Sequence, residues 1–371
     1  MPPFPQLLRK SEGSGIHKDV LACKGNAMQI SSFLSRTFLA MSAALGLSTA
    51  SCAQEPADMS FDSYVQSLKA KARAEGVSDT TIRRMTDGLS INQRVLALDT
   101  DNVSSPSGGG FPSMANYIAR HNTASRIAGG RRKYAQIQPL AQQVEQRYGV
   151  PAEILIAIWG HETAYGAVKG SFDLSQALAT LAWHGRRRTL FEQEFLDLLK
   201  IADTGIPRST LVGSWAGAFG NSQFLPSIYL RLAVDGDGDG TRDIWNSDAD
   251  TLYSIANYFH DAGWRRGQPW AVRAYTPNSV DRMAITTKMD SPVCERVHGR
   301  HSRWLTVAEW KKLGVTPQQP LADDVMASLF EPDGPAAPSY LLTQNYRVIL
   351  EYNCSNYYAM SVGLLADEIA K

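Results

Sequence analysis

Between Phe61 and Trp264, apolar residues recur at the three- and four-residue spacing of helices, and almost no run alternates with the period of a strand. A mainly helical body is the consequence. Phe61, Tyr64, Val65, Leu68 and Ala72 mark a first helix that Gly76 is placed to end, and a short second helix is expected over Thr80 to Asp87. Residues 101–112, "DNVSSPSGGGFP", read as a loop, and Tyr117 opens the next helical stretch. "YAQIQPLAQQVEQRYG" predicts a helix up to Gly149. "VPAEILIAIWGHET" predicts another, with Pro151 in its first turn and Glu153 at its positive end. "SQALATLAW", "TLFEQEFLDLLKIA" and, after Asp250, "TLYSIANYFHDAG" predict three more.

The character changes at Pro269. Pro-rich turns separate short runs, "AVRAY", "SRWLTV" and "YRVILEY", that alternate or are β-branched, before a helix returns at "YYAMSVGLLADEIA". With 371 residues the chain is long enough for more than one compact unit. The expected division is 1–53 as a targeting segment, 54–148 as an N-terminal helical region and 149–268 as a helical core. A small inserted β-containing subdomain follows at 269–345, and 346–371 is a C-terminal helix returning to the core. The fold class is therefore mainly α (α+β).

The N-terminus reads as an export signal. Arg36 precedes the apolar stretch "TFLAMSAALGL", which is shorter than the ~20 residues a membrane-spanning helix needs, and the small residues "STASCAQ" follow. Residues 1–27 are unlike a signal n-region, which makes Met28 a second candidate for the start. Cys52 stands where a lipoprotein cysteine would stand, yet Thr49 is a poor match three positions before it, so outer-membrane lipid anchoring and simple cleavage near residues 51–53 both fit. Either way the destination is the periplasm. Cleavage leaves Cys294 and Cys354, an even pair that in an oxidising compartment suggests one disulfide, the alternative being two buried thiols. The formal net charge of +1 gives no footprint for nucleic acid. The one conspicuous basic run, Arg186 to Arg188, reads more readily as a solvated face than as an anion site.

"IWGHETAYG" places a carboxylate after an apolar run. Three, four and seven positions before Glu162 lie Trp159, Ile158 and Leu155, so the carboxyl group emerges on the apolar face of its helix. Burial there penalises the ionised form and raises the pKa, as a general acid for glycoside cleavage requires. A partly exposed helix end is the bland alternative. A second segment, "GSWAGAFGNSQFLPSIY", sets Gly213, Gly217 and Gly220 beside Ser214, Trp215, Gln223 and Tyr229. Glycines permit close backbone approach, and the aromatics and amides suit a sugar chain. Read structurally, the same segment is a tight turn in which Ser222 caps the next helix.

"WGHETAYG", "SWAGAFGNSQFLPSIY", "DGDGDGTRDIW" and "SIANYF", in this order and spacing, resemble the lytic murein transglycosylases of the membrane-bound B type, from about Phe61 to the C-terminus. The resemblance implies a lysozyme-like helical core and peptidoglycan glycan strands as substrate. It also implies cleavage of the β-1,4 bond between N-acetylmuramic acid and N-acetylglucosamine with a 1,6-anhydromuramoyl product, and no cofactor for the chemistry. Glu162 matches the catalytic acid. Tyr117, Ser214, Gln223, Tyr258 and Tyr352 match residues of the glycan cleft.

"DGDGDGTRDIWNSDAD" begins like a calcium loop, with Asp235, Asp237 and Asp239 at positions 1, 3 and 5, Gly240 at 6 and the Thr241 carbonyl at 7. Position 12, where a bidentate Glu belongs, is Asn246. The related enzymes imply a longer loop closed by a later aspartate, which here is Asp250 with one extra residue intervening. Calcium so held would be structural; the alternative is a Gly-Asp turn without an ion. Two rival functions remain open: a muramidase of the same fold that uses water, and a non-catalytic, calcium-stabilised glycan-binding protein.

Overall fold

A computed structural model describes residues 59–104, 113–286 and 295–371. The targeting segment with Met28 and Cys52 lies outside the described residues, as does Cys294. From Met59 onward the chain forms one unit, mainly helical, with a small sheet.

Helices α1 (Phe61–Ala74) and α2 (Asp79–Thr86) each start on a serine, Ser60 and Ser78, whose hydroxyl accepts from an N–H of the first turn. Helix α3 (Gln93–Ser104) follows, so the first residues of the expected loop at 101–112 are helical instead. Buried Asp99 explains why: it accepts from Arg186 at 2.8 Å and Arg187 at 3.2 Å, with His184 at 3.3 Å. Two arginines of the basic run thus tie α3 down rather than forming a solvated face.

Helices α4 (Met114–His121) and α5 (Ala124–Tyr148) meet at Asn122 and Thr123. The kink in α5 falls at Ile137 (φ −115°, ψ 17°), just before Pro139, which has no N–H to donate and crowds the preceding turn. Helix α6 (Ala152–Thr163) takes Pro151 as its N-cap, one position earlier than expected, and Glu145 of α5 accepts from the Ala152 N–H at 3.3 Å. The two-residue strand β1 (Phe172–Asp173), helices α7 (Leu174–His184) and α8 (Arg188–Asp203), and the two-residue strand β2 (Val212–Gly213) follow. The β1–β2 pair, Phe172 opposite Gly213, is too short to leave an alternating pattern. Helices α9 (Pro226–Leu232) and α10 (Asp248–Asp261) complete this part.

The sheet consists of β3 (Ala271–Tyr275), β4 (Trp304–Thr306), β5 (Thr316–Pro317), β6 (Met326–Phe330) and β7 (Ser339–Leu342), with short helices α11 (Glu295–His298) and α12 (Val307–Lys312) between them. All neighbours are antiparallel in the order β4-β6-β7-β3-β5. Val272, Trp310, Ala327, Leu329 and Leu341 form its own small core, where the Trp310 indole donates to the Ala327 carbonyl at 2.9 Å. "YRVILEY" is not a strand: it lies in α13 (Gln344–Tyr352), capped by Thr343 and burying Tyr346, Val348, Ile349, Leu350 and Tyr352. Packing against the helical body overrides the weak β preference of its branched residues. Helix α14 (Asn356–Ile369) then packs on α6.

Candidate active site

Glu162 stands in the last turn of α6, half-buried, and the residues sharing its face, Leu155, Ile158 and Trp159, are buried as expected. The Tyr358 hydroxyl of α14 donates to Glu162 Oε1 at 2.6 Å. Burial pushes the Glu162 carboxyl up to about 7, while the Tyr358 hydroxyl, by favouring the ionised form, pulls the other way. No carboxylate among the described residues contributes to the shift.

The chain leaves α6 through three successive left-handed residues, Ala164 (φ 50°), Tyr165 (φ 61°) and Gly166 (φ 91°). Two of them carry side chains, at a cost of about 1–2 kcal/mol each. Compensation comes from Tyr165, whose ring lies against Gly129 and Gly160 and whose hydroxyl lies beside Gly130 and donates to the Arg126 carbonyl at 2.8 Å. Thr163 also contributes, donating to the Asn221 carbonyl at 3.2 Å and accepting from the Gly166 N–H at 3.1 Å.

The "GNSQ" turn faces this exit. Gly220 (φ 70°) and Gln223 (φ 50°) are both left-handed, and a Cβ on Gly220 would collide with Ile244 at 2.7 Å. Gln223 Nε2 donates to the Gly220 carbonyl at 2.9 Å, which leaves the side-chain oxygen as the acceptor it can offer. Ser214 Oγ accepts from the Ala218 N–H at 2.9 Å. Ser222 does not cap the next helix: α9 begins at Pro226, and Ser222 Oγ is buried without a hydrogen-bond partner among the described residues. The start of α9 is held instead by Glu194 of α8, which accepts from the Ser227 N–H at 2.9 Å and hydroxyl at 2.7 Å.

Tyr117 is half-exposed, stacked on His121 at 3.8 Å and tilted against Tyr357 at 5.0 Å, within electrostatic reach of Glu162. Tyr352 and Tyr258 are buried, their rings 4.8 Å apart, with Tyr352 within electrostatic reach of Glu162. The Tyr352 hydroxyl donates to the Ser222 carbonyl at 2.5 Å and that of Tyr258 to the Glu351 carbonyl at 2.7 Å. These two rings therefore back the wall rather than present a face to solvent. Sequence reasoning missed Tyr358 and Glu194. The "NYY" pair beside Tyr352 was the only signal for the first, and the second had none.

In the acidic loop, carboxylate oxygens of Asp235, Asp237 and Asp250 lie within 4.8 Å of one another. Asp250 is buried and accepts from the Gly236 N–H at 2.6 Å and the Asp243 N–H at 2.5 Å. Burial raises its pKa, and the neighbouring Asp237 and Asp235 raise it further. Three hard oxygen donors with unbalanced charge fit a divalent cation such as calcium. Asp239 is not part of the convergence: its carboxylate accepts from the Thr241 N–H and hydroxyl, both at 2.7 Å. Cys354 is disulfide-bonded.

The Transglycosylase SLT domain family matches residues 60–367. Membrane-bound lytic murein transglycosylase B of Escherichia coli K12 is 33% identical over 276 residues, covering 73% of this chain and 71% of that protein. Among solved structures, SltB3 from Pseudomonas aeruginosa in complex with NAG-anhNAM-pentapeptide is similar with a TM-score of 0.75 and 34% identity, covering 84% of this chain and 80% of that one. The Escherichia coli lytic transglycosylase Slt35 in complex with calcium has a TM-score of 0.68 and 30% identity, covering 83% of this chain and 92% of that one. With a matching domain over most of its length and a relative one-third identical, the chain belongs to the lytic murein transglycosylase family, enzymes that cleave peptidoglycan.

Proposed function

We propose that the protein cleaves the β-1,4 MurNAc–GlcNAc bond by transferring the glycosyl bond to the sugar's own 6-hydroxyl, with Glu162 as acid and then base. The observation that carries this is a single half-buried carboxyl group with a pKa near 7 and no second carboxylate acting on it among the described residues. A two-carboxylate glycosidase places its second group about 5 to 9.5 Å away, across the scissile bond. Protonated Glu162 gives its proton to the glycosidic oxygen as the C1–O bond breaks, and the substrate acetamido group stabilises the positive C1. The Glu162 carboxylate then removes the 6-hydroxyl proton while that oxygen bonds to C1, which restores the acid and consumes no water. The anhydro sugar bound by SltB3 agrees with this product.

Tyr117, Ser214 and Gln223 would hold the glycan, with Tyr258 and Tyr352 shaping the wall. Calcium would be structural: Asp235, Asp237 and Asp250 would hold it, pinning the loop through Asp243 and α10. Export to the periplasm suits the substrate, with Cys52 as the site of a lipid anchor if one is added. The deciding experiment is mass analysis of fragments from purified peptidoglycan. Wild type should release products one water lighter than hydrolytic ones, and folded Glu162→Gln should release none. Hydrolytic masses would establish the muramidase reading, and binding without release by wild type the non-catalytic one.

A further inference from the structure

Arg126 lies in the first turn of α5, half-buried, with Nη1 3.1 Å from His161 Nδ1. A guanidinium has hydrogens and no lone pair to offer, so Nδ1 accepts and the imidazole is the neutral tautomer with its hydrogen on Nε2. That hydrogen goes to Ser361 Oγ at 3.1 Å, the serine hydroxyl donates to Asn122 Oδ1 at 2.7 Å, and Asn122 Nδ2 donates to the Ser361 carbonyl at 2.9 Å. Each proton in the chain has one direction. Burial, and then the Arg126 charge, push His161 down to about 3, so it stays neutral at working pH.

His161 therefore orients the guanidinium without neutralising it. Among the described residues no carboxylate forms an ion pair with Arg126. Its position is also unfavourable for a cation, because the N-terminus of α5 attracts anions. A half-buried cation held at a helix N-terminus by a neutral partner stands against stability, which is accounted for if the counter-charge arrives with the substrate. The place is suitable. His161 immediately precedes Glu162, and the Tyr117 hydroxyl lies within electrostatic reach of both Glu162 and Arg126.

We infer that Arg126 recognises a carboxylate carried by the muramyl unit beside the cleavage point, with His161 as its positioning residue. The inference rests on peptidoglycan being the substrate. The planar fork of arginine matches a carboxylate. In stripped strands that group is the free lactyl carboxylate of MurNAc; in intact strands the lactyl group is amide-linked and the peptide stem supplies the carboxylates.

Steady-state cleavage of three polymers tests it: peptide-bearing strands, stripped strands, and stripped strands with amidated carboxyl groups. Arg126→Gln should raise KM about ten- to hundredfold on a carboxylate-bearing polymer, the worth of one charge-assisted hydrogen bond, with kcat retained and the amidated polymer unaffected. A rise on stripped strands assigns the lactyl group, and a rise on peptide-bearing strands assigns the stem. His161→Gln, which keeps an acceptor for Arg126 and a donor for Ser361, should retain the discrimination, and His161→Leu should lose it with Arg126 intact, which covers the case of a poorly folded Arg126 variant. Unchanged KM on both charged polymers, or an equal loss on the amidated one, would overturn the inference. Failure of wild type to cleave any of the three would instead reject the peptidoglycan reading.

Discussion

The Tyr358 hydroxyl and Glu162 Oε1 are 2.6 Å apart although 196 residues separate them in sequence. The bond stabilises the ionised carboxyl and so opposes burial, which holds Glu162 near 7 instead of higher. Tyr358→Phe removes the opposing effect, and Glu162 should titrate higher still. The alkaline limb of kcat/KM against pH, where the required acid is lost, should move up by about one pH unit, the worth of a hydrogen bond to a charged group. Turnover at pH 7 should fall about tenfold as the base step loses a well-placed carboxylate. A limb that stays in place or moves down would reject this role for the hydroxyl.

The same raised pKa is a statement about stability. The folded state holds the Glu162 proton up to about pH 7, whereas the unfolded chain releases it near its ordinary value of 4.5. The contribution is fully present below pH 4.5 and is lost as pH rises through 7, because the folded protein must then bury a charge. Glu162→Gln never carries that charge. Thermal melts should find the variant equal to wild type at pH 4 and more stable at pH 8, by on the order of 2 kcal/mol. Other titrating groups, Glu194 among them, are common to both proteins and cancel. A variant less stable than wild type at pH 8 would contradict the burial argument.

Calcium should act through the loop rather than through turnover chemistry. Asp235, Asp237 and Asp250 repel one another, so a bound cation removes a cost present only in the folded state. Titrating chelated protein with calcium should raise Tm by several degrees, and Asp237→Asn should abolish most of that rise. Asp239→Asn should change it least, because Asp239 is occupied with Thr241. Equal effects from the two variants would show that the ligand set is different.

Glu162 was legible in sequence because its partners on the helix are local: spacing alone puts Leu155, Ile158 and Trp159 on its face, and all three are buried. Tyr358 was not, since only the packing of α14 on α6 brings it there. The same limit explains the other departures. "YRVILEY" has branched residues suited to a strand, but a capping Thr343 and a buried face make it a helix. The Arg186–Arg188 run could not reveal that a buried aspartate 87 residues earlier would take two of its arginines. Ser222 has the composition of a cap, but its left-handed neighbours bend the chain into a tight turn before α9 begins.

Gly160 tests how the exit from α6 is held. Alanine in mid-helix ordinarily stabilises by about 0.8–1.0 kcal/mol over glycine. Here a Cβ would lie 2.6 Å from Cε1 and Cζ of Tyr165, a ring whose opposite edge, Cε2 and Cδ2, lies against Gly129. The ring has nowhere to retreat, so the collision should outweigh the propensity gain and leave Gly160→Ala less stable by about 1–3 kcal/mol. Tyr165 also fixes the left-handed turn after Glu162, so cleavage should fall as well. Tyr165→Ala alone should destabilise through the empty socket, but adding Gly160→Ala to it should cost nothing further and even recover the helix preference. Urea unfolding of the two single variants and the double variant measures this coupling. Losses that simply add would show that Gly160 and Tyr165 do not constrain each other.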